Sequence, residues 1–164
     1  MSITRYVHPQ YVYTDATNAS HYWPSGTESG VGFNTKGATS VTLITHREAE
    51  TGTSTIQAFF EFFMEAAGTT GGSWYPLLDL SNATAVQAVI YANSEVDTST
   101  PYHRFTTLRD QGRLTTAADN VVAVNTVHKY YNIWIPEIIR IRFDTTGTTI
   151  TNTISAELLV HTIR

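Results

Sequence analysis

The chain has no cysteine, which excludes disulfides, thiolate nucleophiles and cysteine zinc sites together. Charge is sparse as well: 15% of residues are charged, the net charge is −4 and the sequence pI is about 5.8. There is no basic run or stripe, so nucleic acid is not expected as a direct partner. The mildly acidic balance gives no pull toward an anionic membrane surface. No stretch approaches the roughly 18 consecutive apolar residues that a membrane-crossing helix needs, so no membrane partner is expected either. The opening Met-Ser-Ile-Thr-Arg-Tyr-Val-His-Pro lacks the apolar stretch of a secretory signal.

Motifs for chemistry are also missing. The six histidines are His8, His21, His46, His103, His128 and His161. No two of them stand at His-x-x-x-His or His-Glu-x-x-His spacing, so each reads as a surface or loop residue and no metal is expected. Gly26-Thr-Glu-Ser-Gly30 is misspaced for a nucleophile elbow. The glycines of residues 68–72 and of Gly30-Val-Gly32 match neither a P-loop nor a dinucleotide fingerprint and read as turns. Glu61 and Glu65 invite a paired-carboxylate reading. On a strand they lie about 13 Å apart, at roughly 3.3 Å per residue, beyond the ~5–9.5 Å of glycoside hydrolysis. Neither catalytic residues nor a cofactor are expected.

Threonine is abundant, with 28 copies, and aromatics make up 12% of the chain. Both suit a pleated, half-buried surface, while Lys and Leu, strong helix formers, are few. At 164 residues the chain fits one core, able to bury about 70% of its unfolded surface without staples. The expected fold is all-β.

Along the chain, residues 1–39 differ from the rest. Residues 2–14 can hold a strand that carries Tyr6, Tyr11 and Tyr13 and is interrupted by Pro9. Residues 15–38 are rich in Asn, Ser, Gly, Pro and Thr and read as an extended arm or long loop, in which Tyr22, Trp23 and Phe33 need cover. Regular pattern starts near Ser40, so residues 40–164 form the expected domain body. Val41 and Leu43 open a strand. Residues 53–67 fit two periods. Ile56, Ala58, Phe60, Phe62 and Met64 share a face at period two. Phe59, Phe62, Phe63 and Ala66 make a stripe at period 3.6 behind a Ser54/Gln57 capping box. The threonine-rich entry and aromatic density favour the strand. A glycine-rich hairpin turn then leads into Trp74-Tyr75-Pro76-Leu77.

Val86, Ala88, Ile90 and Ala92 alternate against Gln87, Val89 and Tyr91. Residues 93–120 are polar and longer than an ordinary loop, which points to a functional segment or one with short strands of its own. Tyr102, Phe105 and Leu108 can anchor part of it. Residues 121–127 and 131–135 read as strands, the second ended by Pro136. Ile139, Ile141 and Phe143 alternate with Arg140, Arg142 and Asp144. Gly147 falls in a turn over residues 144–148, and Ile154, Ala156, Leu158 and Val160 form the last inward face, closing a hairpin. Short strands joined by turn-rich segments indicate a single β-sandwich, jelly-roll-like, with an extended N-terminal arm.

The segment Tyr130-Tyr-Asn-Ile-Trp-Ile-Pro-Glu-Ile-Ile-Arg-Ile-Arg-Phe-Asp, followed by Thr-Thr-Gly-Thr-Thr-Ile and Ile154-Ser-Ala-Glu-Leu, resembles the closing hairpin of small β-sandwich structural proteins in tailed-phage particles. Phe60-Glu-Phe-Phe-Met-Glu, the glycine-rich turn and Trp74-Tyr-Pro-Leu are similar to that family's paired strands. The similarity covers residues 40–164. The long segment 93–120 and the arm depart from the compact pattern. The resemblance implies a virion protein of the capsid cement or decoration type. Such a protein is assembled in the host cytoplasm, is homo-oligomeric with a trimer the natural guess, and contacts the major capsid protein or other virion proteins.

Apolar residues outside the inward pattern agree with assembly. Phe59, Phe63, Trp134, Leu159 and Ile163 fall opposite the core face, where they are covered either by the protein itself or by a partner. The expected partner contacts are Tyr6, Tyr11, Tyr13, Tyr22, Trp23 and Phe33 in the arm, and Tyr102, Phe105 and Arg109 in the long segment. Two alternatives stand beside this reading: a head–tail connector or tail component of the same fold, and a carbohydrate-binding module that uses Trp23, Trp74 and Tyr75.

Overall fold

The computed structural model describes residues 2–25, 31–65, 71–79, 84–85, 87–91, 96, 104–109, 127–130 and 134–163. Among these there is no helix, and so none long and apolar enough to cross a membrane. The strands are β1 (Ser2–Asp15), β2 (Ala19–Trp23), β3 (Phe33–Asn34), β4 (Ala38–Glu65), β5 (Gly72–Pro76), β6 (Leu78–Asp79), β7 (Thr84–Ala85), β8 (Gln87–Tyr91), β9 (Arg104–Arg109), β10 (Val127–Tyr130) and β11 (Ile138–Thr162). Nine of them make one sheet, and β6 and β7 make a small second one. Pairing is antiparallel except between β9 and β10.

Two long strands organise everything. β4 and β11 run antiparallel, from the Ala38/Thr162 pair to the Phe62/Ile139 pair. On the other side of β11 lie β1, β2 and β3 in succession, opposite residues 150–162, 141–145 and 138–139. The N-terminal segment is thus a broken strand of the sheet along the whole of β11. The expectation for residues 53–67 resolves as strand: residues 53–65 are the second half of β4.

The ribbon is creased. His8 is opposite Ala156 and Trp23 opposite Ile141, positions about 50 Å apart along a straight strand at ~3.3 Å per residue. Their rings nevertheless stack with centroids 5.0 Å apart. Tyr6 and Phe33, opposite Leu158 and Ile139, meet at 4.7 Å in the same way. The two halves of the sheet therefore face each other. The crease lies at Gly52 and Gly147, whose φ angles of 84° and 140° suit glycine. A Cβ on Gly147 would run into the Thr53 carbonyl oxygen. Each long strand carries one extra residue near this point: β11 between Thr148 and Thr151, β4 between Arg47 and Ala49. An extra residue flips the alternation. Inward positions accordingly pass from Val41, Leu43, Thr45 and Arg47 to Ser54, Ile56, Ala58 and Phe60. They pass likewise from Ile139, Ile141, Phe143 and Thr145 to Ile150, Asn152, Ile154, Ala156, Leu158 and Val160. One core results, with each large aliphatic or aromatic residue contributing about 1.5–3 kcal/mol.

Several expectations are corrected here. Residues 144–148 are strand, so Gly147 is not in a hairpin turn. The chain reverses there by folding across the sheet, and the two inward faces meet through side chains instead of sharing backbone bonds. In place of two separate sandwich sheets, the described residues form one main sheet whose halves are the layers. The extended arm is likewise built into that sheet, because β11 offers its free side to it. Trp134 and Ile135 lie in no strand; residues 131–133, like 121–126, fall outside the described residues. Tyr91, on the parity opposite Ile90, is buried: its backbone is opposite inward Ile56, and its hydroxyl bonds Thr45 Oγ1 at 3.0 Å. Within residues 93–120, the described part includes β9, pairing with both β4 and β10.

Candidate interaction site at the seam of the folded sheet

Folding the ribbon brings β1 and β2, the partners of opposite halves of β11, against each other. Sequence spacing then decides what meets. Tyr13 and Asp15 share one face of β1, and His21 and Trp23 one face of β2. The register places His21 and Trp23 opposite inward Phe143 and Ile141, so their rings point into the seam. Tyr13 stacks on His21 with centroids 4.0 Å apart, and Tyr11 lies 4.8 Å from Tyr13. The tyrosine hydroxyl of Tyr13 is 3.0 Å from His8 Nε2. His21 Nε2 is 2.9 Å from Asp15 Oδ2, which also accepts a bond from Thr145 Oγ1 at 2.8 Å. Ser20 Oγ donates to Asp144 Oδ1 at 2.7 Å. Burial lowers the His8 pKa, because the cation would lose its hydration against Trp23 and Phe143. Burial also pushes the Tyr13 phenol well above its ordinary range, with Tyr11 and Asp15 adding to the shift.

These groups surround a cleft of about 320 Å³ lined by His8, Tyr11, Tyr13, Ser20, His21, Tyr22, Trp23 and Ser25. Tyr11 is 50% exposed, so its ring supplies the open surface, while the Tyr22 ring is turned away onto Arg140. Tyr13, Trp23 and Phe33 are buried in the protein's own core, and Tyr6 packs on Phe33 beside them. Arg109 sits apart, exposed at the end of β9 opposite Ser40. Phe105 is opposite Ile44 on β9, with its side chain outside what is described, as is all of Tyr102. Sequence reasoning missed His8, His21 and Asp15. The signal that could have found the last two was their two-residue spacing to Trp23 and Tyr13.

The opposite face of the second half holds a different cluster. Glu61, 2% exposed, accepts from Arg140 Nε and Arg142 Nη1, both at 2.7 Å. The Arg140 guanidinium lies between the Tyr22 ring at 4.1 Å and the Trp74 ring at 4.4 Å. Arg142 covers Phe59 at 4.6 Å, and Phe63 packs edge-on to Trp74. Phe59 is therefore covered by the protein itself, while Trp134 and Ile163 are exposed. Glu61 is saturated by guanidinium groups and Glu65 is exposed at the strand end. The sugar platform expected of Trp23, Trp74 and Tyr75 does not form: Trp23 is in the core, Trp74 is under Arg140, and Tyr75 alone is exposed. Among the described residues, no cluster of His, Asp and Glu is arranged to hold a metal ion.

The third feature is an open edge. Among the described residues, β1 pairs along its length only with β11. Its Ile3, Val7 and Val12 are each more than half exposed.

Comparison with known proteins yields no relative. No protein-family model, no curated protein and no solved structure matches the chain. Its function must be argued from these three surfaces.

Proposed function

We propose that this chain is a structural subunit that acts by packing into a larger particle, as a capsid cement or decoration protein does in a tailed phage. The observation that carries the reading is β1. A 14-residue strand that leaves one edge without a strand partner among the described residues, and exposes Ile3, Val7 and Val12, is a surface suited to being covered. Backbone donors and acceptors on a free edge template a further strand, and exposed aliphatics along that strand add apolar area that a partner can bury. In this reading the creased sheet is the jelly-roll-like body, and β1 supplies part of the ~800 Å² that each partner buries in a specific contact. The partners are the major capsid protein or other virion proteins, together with further copies of the chain, a trimer being the simplest closed ring. No catalytic step is involved.

The test is quantitative mass spectrometry of purified particles from the protein's source. Near-stoichiometric copies relative to the shell protein are expected. A few copies per hundred shell subunits would assign the chain to the connector or tail, and absence from particles would refute the reading.

A further inference from the structure

The seam cleft has a chemistry that packing into a particle does not use. Its walls combine one exposed aromatic face, two imidazoles and the exposed Ser25 in a cavity of about 320 Å³, at the small end of the roughly 300–1,000 Å³ found for ligand sites. We propose that this cleft binds a neutral saccharide of one or two sugar rings, stacked on Tyr11 and hydrogen-bonded by His8 and His21.

The polar groups select the ligand class. Each imidazole already uses Nε2 inside the protein, on the Tyr13 hydroxyl and on the Asp15 carboxylate. Nδ1 of each ring has no partner among the described residues. Because Asp15 accepts from His21 Nε2, the neutral His21 ring presents Nδ1 as an acceptor. The His8 ring can take either tautomer against a phenol. A hydroxyl group both donates and accepts, so a polyol satisfies both rings in either state.

Charged ligands fit less well. The fixed charge beside the cleft is the carboxylate of Asp15, bonded to His21 in its wall, which opposes an anion. That carboxylate is also spent, on His21 and Thr145. A cage for an organic cation needs ring faces turned to one point. Here the rings stack pairwise, His8 on Trp23 and Tyr13 on His21. Tyr11, half exposed, retains a face for the apolar side of a sugar ring.

The experiment is a titration of the isotopically labelled protein followed by amide NMR. The probes are glucose, galactose, N-acetylglucosamine, maltotriose, cellotriose and chitotriose, with choline and inorganic phosphate as charged counterparts. At least one sugar should shift resonances of residues 8–25, and Tyr11→Ala should weaken its binding at least tenfold while Tyr75→Ala leaves it unchanged. Should Tyr11→Ala lose its dispersed spectrum, Tyr11→Leu keeps the apolar bulk without the ring and should show the same loss. The proposal is overturned if none of the six sugars binds, if the shifts lie outside the cleft, if the ring-deleting variant binds as the parent does, or if choline or phosphate occupies the cleft instead. None of these results touches the assembly reading, which rests on the exposed edge of β1.

Discussion

The two halves of the folded ribbon are made from the same pair of strands, yet their outer faces are treated oppositely. Beyond the crease, the outer face of β4 and β11 carries Glu61, Arg140 and Phe59, all buried, with Tyr22 and Trp74 clasping Arg140. Before the crease, the outer face carries an ion pair of the same chemistry, Arg5 with Glu157, but with side-chain exposures of 59% and 34%. The corresponding exposures of Arg140 and Glu61 are 7% and 3%. A guanidinium–carboxylate pair in water contributes little. Out of water, each partner depends on the other to offset its lost hydration. Among the described residues, one half thus has two packed faces, and the other has one packed face and one that is partly exposed. That asymmetry is why the assembly surface is proposed on β1.

The largest expected effect comes from breaking the buried pair. Glu61→Ala leaves Arg140 without its carboxylate and should lower unfolding stability by about 3–5 kcal/mol, measurable by urea denaturation. A drop no larger than that of a surface substitution would show the two faces to be equivalent. Next is the crease between the halves. Gly147→Ala puts a Cβ against the Thr53 carbonyl at a φ of 140°, and should cost roughly 1–3 kcal/mol. An unchanged denaturation midpoint would mean that the strands do not fold over there.

A smaller effect follows from His8. Its pKa is lowered in the folded protein, so the unfolded chain takes up the proton first. Stability from this group is therefore complete above the ordinary histidine value of about 6.5 and is lost as pH falls from there through the lower folded value. Thermal melts between pH 7.5 and 5 should show this decline, and His8→Gln should flatten it; an unaltered slope would assign the decline to other groups. Smallest is the exposed pair. Glu157→Gln should leave the urea midpoint where it is, and a shift like that of Glu61→Ala would erase the distinction between the halves.

Much of the sheet was legible in the sequence because period two is hard to disguise. Val41 and Leu43, then Ile56, Ala58 and Phe60, then Ile139, Ile141 and Phe143, then Ile154, Ala156, Leu158 and Val160 are buried, whereas Phe62, expected on the same face as Phe60, is only partly buried and Met64 beyond it is 52% exposed. The crease was not legible. Thr-Thr-Gly-Thr serves a hairpin turn and a bent strand equally well, and the choice depends on whether an equally long partner lies alongside. That partner, β4, is distant in sequence: Glu61 and Arg140 are 79 residues apart. The inward side of residues 86–92 is not decided by alternation, because apolar residues occupy both parities there; Tyr91 is buried. The cleft was hidden for the same reason as the crease. His8 and His21 share no motif, and only folding β11 over brings their strands together.

The position of β11 also sets the order in which the molecule can be made. It is the shared neighbour of β1, β2, β3 and β4, and Thr39 bonds to His161 across 122 residues. While the chain leaves the ribosome, the N-terminal strands have no template until residues 138–162 emerge, so this sheet closes late and through distant pairings, which slow folding. Until then both edges of β1, and not one, lack a strand partner, and its backbone groups can template pairing with any strand they meet.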